Sequence, residues 1–277
     1  MTGTARASRP FFAVKRPEKG GCVYHEEMIE FDWHKGMSWQ VRQRSSLALA
    51  QAIEHKYPST TGKILEVSTK SVNYEIGAAL SAQRLTYADP KSGRSLPVEN
   101  WFQASKQFIR EGIELGPYPE LLDVEPIQAK RYINTDLDKK TAAQYSGDPL
   151  FERIQSEIRG AVMKQFVFLG EPYPLEPKSS FYDFLYAQAL NQEQNSDLAR
   201  ALGRYVVFTD IEFNPVKNGK VIRYNTQARA CAIWVSLANR GLSALALKAI
   251  ESFVDCVSYG TNECPESVQN RQGVLEI

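Results

Sequence analysis

Glu99 and Lys106 are the first candidates for chemistry, an acid and an amine seven residues apart in Val98-Glu99-Asn100-Trp101-Phe102-Gln103-Ala104-Ser105-Lys106-Gln107-Phe108. Val98, Trp101, Phe102, Ser105, Phe108 and Ile109 recur at three- and four-residue steps, the period of a helix buried along one stripe. The spacing predicts a helix over 98–111, with Glu99, Gln103, Lys106 and Arg110 on another side. Seven residues are close to two turns, so Glu99 and Lys106 would look the same way, roughly 10 Å apart. That is too far for an ion pair, and suited to holding two ends of one polar substrate. Charges on an arbitrary helix usually mark a solvated face, so this spacing alone assigns nothing.

A second pair lies in Thr209-Asp210-Ile211-Glu212-Phe213-Asn214-Pro215, where Asp210 and Glu212 project to one side of an extended chain at the end of a strand. The plain alternative is that Asp210 and Asn214 cap local turns. A magnesium nuclease would need acidic residues with a lysine close by; Lys217 comes five residues after Glu212 and beyond a proline, which is the wrong spacing. Ser68-Thr69-Lys70-Ser71 follows a short strand and precedes a helical run, a place where hydroxyls, N–H groups and the Lys70 charge can hold a phosphate. Ser and Thr also cap helices with no ligand.

These residues need elements to carry them. Residues 11–14 and 23–31 read as strands joined by a turn at 17–21, and a break at 36–38 offers Ser38 as cap for a helix to about residue 55. Residues 58–62 close that helix, and 63–67 read as a strand. Helical patterns then cover 73–84, 98–111, 127–133 and 149–166, the last opened by Asp148 as N-cap and Pro149. After a proline-rich link, Ser180 and Asp183 have capping-box spacing, so Asp183 reads as a cap rather than a catalyst. Residues 204–210 read as a strand, and Asn218-Gly219 is a turn signal. Residues 226–240 are apolar nearly all round, a buried central helix ended by Gly241. A final helix spans 244–257, followed by a polar tail.

A chain of 277 residues with 43% hydrophobic content can bury a sizeable core. Lys+Arg 33 against Asp+Glu 32 leaves a net charge of +1, so any nucleic-acid contact must be local. Cys22, Cys231, Cys256 and Cys264 form no CxxC pair and read as reduced thiols of a cytoplasmic protein. The three histidines, His25, His34 and His55, have no metal-ligand spacing, so catalytic zinc is not expected. No phosphate-binding glycine motif is present, and no apolar run is long enough to span a bilayer.

In chain order, the 98–106 segment, Pro126-Ile127-Gln128-Ala129-Lys130-Arg131, the 209–213 segment and Tyr224-Asn225-Thr226-Gln227-Ala228-Arg229 resemble the NADAR family. The likeness is closer to the branch associated with DarT-type DNA ADP-ribosyltransferase toxins, through residues 64–71, Glu171-Pro172-Tyr173-Pro174-Leu175-Glu176-Pro177, Phe181-Tyr182-Asp183-Phe184-Leu185-Tyr186 and 208–215. It spans about residues 10 to 245. Asn100 stands where the family has His, Ile211-Glu212-Phe213 stands at its Trp-Gly approach, and residues 217–223 are an insertion.

The resemblance implies an α+β fold with a mainly helical YbiA-like core. It divides the chain into an N-terminal α+β module over 1–62 packed on that core, a catalytic domain over 63–260 and a polar tail over 261–277. It also implies a metal-free ADP-ribosyl glycohydrolase without cofactor, which frees ADP-ribose from guanine bases and so acts as an antitoxin. The family's catalytic glutamate, lysine and aspartate fall on Glu99, Lys106 and Asp210. Lys70, Ser71, Trp101, Gln103, Lys130, Glu212 and Asn225 become candidate substrate contacts. Lys106 would anchor the diphosphate or attack the anomeric carbon as a Schiff-base nucleophile. Two other readings fit: an N-glycosidase of a small phosphorylated metabolite, and a non-catalytic protein that binds ADP-ribose or occludes its toxin. Lys15, Arg16 and Lys19 could touch nucleic acid, although a solvated basic turn accounts for them equally well.

Overall fold

Phe11 and Phe12 are adjacent, so on an extended strand they point to opposite faces, and both are buried. The sheet that carries them is therefore covered on both sides. In the computed structural model, which describes residues 3–16, 21–36, 38–217, 220–221 and 223–260, that sheet has four strands. They are β1 (Thr4–Val14), β2 (Tyr24–His34), β3 (Ile64–Glu66) and β10 (Val207–Thr209), in the order β2-β1-β10-β3. β1 is antiparallel to β2 and β10, and β10 is parallel to β3. The N-terminal hairpin thus shares one sheet with a strand about two hundred residues later.

One face is covered by α1 (Trp39–Lys56), whose N-cap Ser38 accepts from the Val41 N–H as expected. Its Leu49 and Ile53 pack with Phe11, Phe31, Val207 and Ile211, each such side chain contributing about 1.5–3 kcal/mol of burial. The other face meets α6 (Ser180–Leu190) and α8 (Gln227–Asn239), where Phe12 and Phe208 join Phe181, Tyr186, Ala228 and Cys231. α8 is the buried central helix, and Gly241 follows it in the left-handed region at φ 68°.

Beyond this core, the hairpin β4 (Thr86–Ala88) and β5 (Ser95–Pro97) leads into α2 (Val98–Ala104). A second antiparallel sheet has the order β7-β6-β8-β9, from β6 (Lys106–Arg110), β7 (Ile113–Leu115), β8 (Val162–Phe168) and β9 (Glu171–Tyr173). α3 (Pro126–Tyr132), α4 (Lys139–Ala143) and α5 (Pro149–Ile158) form the lobe beside it, closed by Phe108, Leu121, Tyr132 and Ile154. α7 (Ser196–Leu202), the hairpin β11 (Val216–Lys217) with β12 (Lys220–Val221), α9 (Ser243–Ala246) and α10 (Ile250–Tyr259) complete a mixed α+β fold.

Four helix expectations are corrected. The helix read over 98–111 ends at Ala104, and Lys106 opens a strand instead. Glu111 and Gly112 both have positive φ, 53° and 81°, forming the two-residue turn that pairs Arg110 with Ile113. The helix read over 149–166 keeps its Asp148 cap, which accepts from Leu150 and Phe151 N–H groups. It stops at Ile158 because Gly160 turns left-handed at φ 73°, and β8 follows. Residues 73–84 contain only one wide turn, Tyr74–Ala78, and the last helix divides into α9 and α10. Asp183 caps nothing; it pairs with Arg229. The turn expected at 17–20, Lys19, Asn218-Gly219 and the tail from 261 lie outside the described residues.

Candidate active site

Two neighbours of Glu99 pin α2 in place. The Trp101 indole N–H donates to the Tyr87 carbonyl at 2.9 Å, and Asn100 donates to the Leu121 and Val124 carbonyls, both at 2.8 Å. With those contacts made, Glu99 and Gln103 share the remaining side as an i, i+4 pair. Gln103 donates to Glu99 Oε1 at 2.7 Å and leaves its own Oε1 without a partner. Glu99 is 5% exposed, so its carboxylate is held by few groups in a dry place. Among the described residues Lys130 of α3 comes within ion-pair distance of it, 3.9 Å away on an exposed stem.

Lys106 arrives from the strand. Ser105 ends α2, and its carbonyl accepts from Val167 of β8 at 2.6 Å, which sets the start of β6. The Lys106 ammonium lies 5.3 Å from the Phe102 ring centroid and feels both Glu99 and Lys130. Burial lowers its pKa to about 8, Lys130 adds repulsion and Glu99 opposes both. A substantial fraction of this amine is therefore neutral just above neutral pH.

Asp210 follows β10 in a loop whose geometry is set by Glu66, the last residue of β3. Glu66 Oε2 accepts from the Thr209 hydroxyl at 2.7 Å and Oε1 from the Ile211 N–H at 2.9 Å, so one carboxyl holds the residues on both sides of Asp210. Ser68 gives Glu66 a third bond. Asp210 itself accepts from the Glu212 N–H at 3.1 Å and from Thr226, the N-cap of α8, at 3.0 Å. Burial pushes both carboxyls upward, and for Glu66 the nearby Asp210 charge adds to it. Tyr182 of α6 is buried within reach of Glu99 and Asp210, and its phenol is driven well above its ordinary pKa.

The fold thus gathers Glu99, Gln103, Lys106, Lys130 and Asp210 into one electrostatic neighbourhood, with Glu212 at its edge 3.6 Å from Arg42. It does not bring Trp101 there: that ring packs in the core against Tyr87 and Phe168. Ser71 is buried under Gly77, where an added Cβ would sit 2.2 Å from the Ser71 hydroxyl and the Glu66 carbonyl oxygen. Lys70 is half-buried, and Asn225 is half-buried just before the Thr226 cap. Glu66, Tyr182 and Thr226 escaped the reading of residue types. Glu66 alone carried a signal, a carboxylate inside the apolar run 64–67.

A separate cleft of about 260 Å³ lies against another side of α6, lined by Tyr24, Asp183, Arg229 and Phe253, and it contains none of these groups. Among the described residues no helix is long and apolar enough to cross a membrane. No curated protein matches the chain. The family model for DarT1-associated NADAR antitoxins matches residues 7–148 and 151–266. The chain therefore belongs to the DarT1-associated NADAR antitoxins, a membership that supports an antitoxin role against a DarT toxin.

Proposed function

We propose that this protein is an ADP-ribosyl glycohydrolase that frees ADP-ribose from guanine bases of nucleic acid, DNA in the first instance, and so reverses its toxin in the cytoplasm. On this reading residues 63–260 form a YbiA-like catalytic portion, and residues 1–62 pack on it. The observation that carries the proposal is the convergence of Glu99, Lys106 and Asp210, buried or half-buried, from a helix, a strand and a distant loop. Breaking an N-glycosidic bond requires a proton for the departing base and stabilisation of positive charge growing on the ribose.

Glu99 supplies the proton to guanine. The neutral Lys106 amine bonds to the anomeric carbon as the C–N bond to the base breaks; the bond from that carbon to the ring oxygen then opens, a proton passes from the nitrogen to that oxygen, and an imine results. Water then adds to that carbon, giving one proton to Glu99 and, through it, one to the nitrogen; the C–N bond to Lys106 breaks, the free amine is restored and ADP-ribose leaves as the aldehyde that recloses its ring. Asp210 orients a ribose hydroxyl, while Lys130, Lys70, Gln103, Glu212 and Asn225 hold the polar ends of the substrate.

The test is incubation with guanosine- and thymidine-ADP-ribosylated oligonucleotides without added metal. Free ADP-ribose is expected from the guanosine adduct, and Glu99→Gln should lower the rate about 10²–10⁴-fold. Borohydride during turnover should trap an adduct on Lys106. A Glu99→Gln variant that still protects cells from the toxin would instead identify a protein that binds or occludes. Release of base from a small phosphorylated metabolite, with none from the oligonucleotide, would identify a metabolic N-glycosidase.

A further inference from the structure

Three arginines from separate segments gather round the loop that carries Asp210. Arg9 of β1 donates through Nε to the Ile211 carbonyl at 3.3 Å, and Arg223 donates through Nη1 to the Glu212 carbonyl at 3.5 Å. Arg42 of α1 lies 3.6 Å from the Glu212 carboxylate. The crowding is real: burial and the Arg42 charge both lower the Arg9 pKa. In a chain with net charge of only +1, this is a local cationic excess beside the site, the condition under which phosphates are attracted.

Aromatic rings accompany the cations. Trp33 lies between Arg9 and Arg42, with guanidinium carbons 4.9 and 4.5 Å from its centroid. Trp39, 44% exposed, is tied by its indole N–H to the Thr69 carbonyl at 3.3 Å, and Gln43 of the same helix donates to the Ser71 carbonyl. α1 is thereby fastened to the segment that leads to Tyr74, 59% exposed, over which Arg84 stacks at 4.5 Å. Exposed rings, one of them beside a guanidinium, suit unstacked bases between charged backbone contacts.

We propose that this rim, from Arg223 past Trp39 to Tyr74 and Arg84, with Arg42 lending charge from behind it at 15% exposure, is a track for a single strand of nucleic acid on either side of the modified base. The inference rests on the glycohydrolase reading. It follows from the burial of Glu99 and Asp210: a base can reach them only after leaving its stack, and its flanking nucleotides then need a surface. Guanidinium groups meet phosphates, and the exposed rings take base faces without regard to sequence.

Fluorescence anisotropy of the full chain with a labelled, unmodified single-stranded oligonucleotide tests this. Wild type should bind, with affinity falling as salt rises. The double variant Tyr74→Ala/Arg84→Gln, altered only at exposed side chains, should bind about five- to a hundredfold more weakly, with a salt slope smaller by about 0.7 for a lost phosphate contact. The same variant should raise KM for an ADP-ribosylated oligonucleotide and leave turnover of the ADP-ribosylated mononucleoside unchanged. Absence of strand binding by wild type, an unchanged affinity in the variant, or tighter binding to duplex would each overturn the track. Strand binding without release of ADP-ribose would leave the track standing and remove the glycohydrolase reading.

Discussion

The protein buries charge in two ways, on neighbouring sides of the same helix. Asp183 of α6 meets Arg229 of α8 at 2.9 Å, with side chains 6% and 11% exposed; burial raises the carboxyl, and the guanidinium holds it back. One residue earlier, Tyr182 belongs to the other arrangement, where Glu66 and Asp210 are like charges and Lys106 sits short of full compensation. The first is an ion pair of opposite charges at hydrogen-bond distance, with Asp183 Oδ1 and one Arg229 Nη left without a further partner. Both leave a buried carboxyl raised, Asp183 to about 6 as for Asp210; what the second adds is a second raised carboxyl, Glu66, and an amine lowered by burial. A raised buried carboxyl is therefore common to both, and the lowered amine is what separates them.

The contrast can be broken first at the pair. Asp183→Ala strands the Arg229 charge in the core and should cost about 3–5 kcal/mol, read as a lower urea midpoint, while turnover per folded molecule persists. The double replacement Asp183→Leu/Arg229→Met should recover much of that loss. A milder response to Asp183→Ala, with activity abolished, would move Asp183 into the site and erase the distinction.

The opposite sign is expected at the mismatched cluster. Lys106→Met should eliminate turnover yet stabilise the fold by roughly 1–2 kcal/mol, a figure discounted for partial solvent screening. Because the folded pKa is depressed to about 8, the unfolded chain holds the extra proton between there and the ordinary lysine value. The variant's advantage should be full below that window and gone above it. Thermal melts across the window would show this, and a destabilised Lys106→Met would contradict it.

A third effect, also of pH, is expected at Glu66. Its folded pKa is raised, so wild type should lose stability as pH climbs from the ordinary carboxyl range through the folded value. Glu66→Gln keeps acceptors and donors near Thr209 and Ile211 but cannot ionise, so its urea midpoint should fall less over the same range, the remaining decline belonging to the raised carboxyls of Asp210 and Asp183. A parallel decline in both proteins would show that Glu66 is not the group responsible.

Much of the scaffold was legible beforehand. The Ser38 and Asp148 caps, the paired N-terminal strands, α3 and the central helix α8 all follow local rules of capping and periodicity, and the structure keeps them. Two of the misreadings, over 98–111 and 149–166, share one cause: short apolar segments fit helix and strand periods equally, and each helix gave way to a strand. Gly160 takes left-handed φ just after α5 and lets β8 begin, while Gly112, also left-handed, turns β6 back into β7 after α2 has already ended at Ala104.

What the amino-acid order determined by itself was the set of chemical types and the family they belong to: an acid, an amine and a later carboxylate in a fixed succession. Their meeting was decided only in three dimensions. Glu99 and Lys106 do not share a helix face; the chain turns at Ser105, and pairing between β6 and β8 sets where the amine begins. Asp210 is positioned by Glu66 from more than a hundred residues away. Local sequence cannot encode that clamp, because hydrogen bonding between distant segments and the lowered dielectric around it exist only after the sheet has closed.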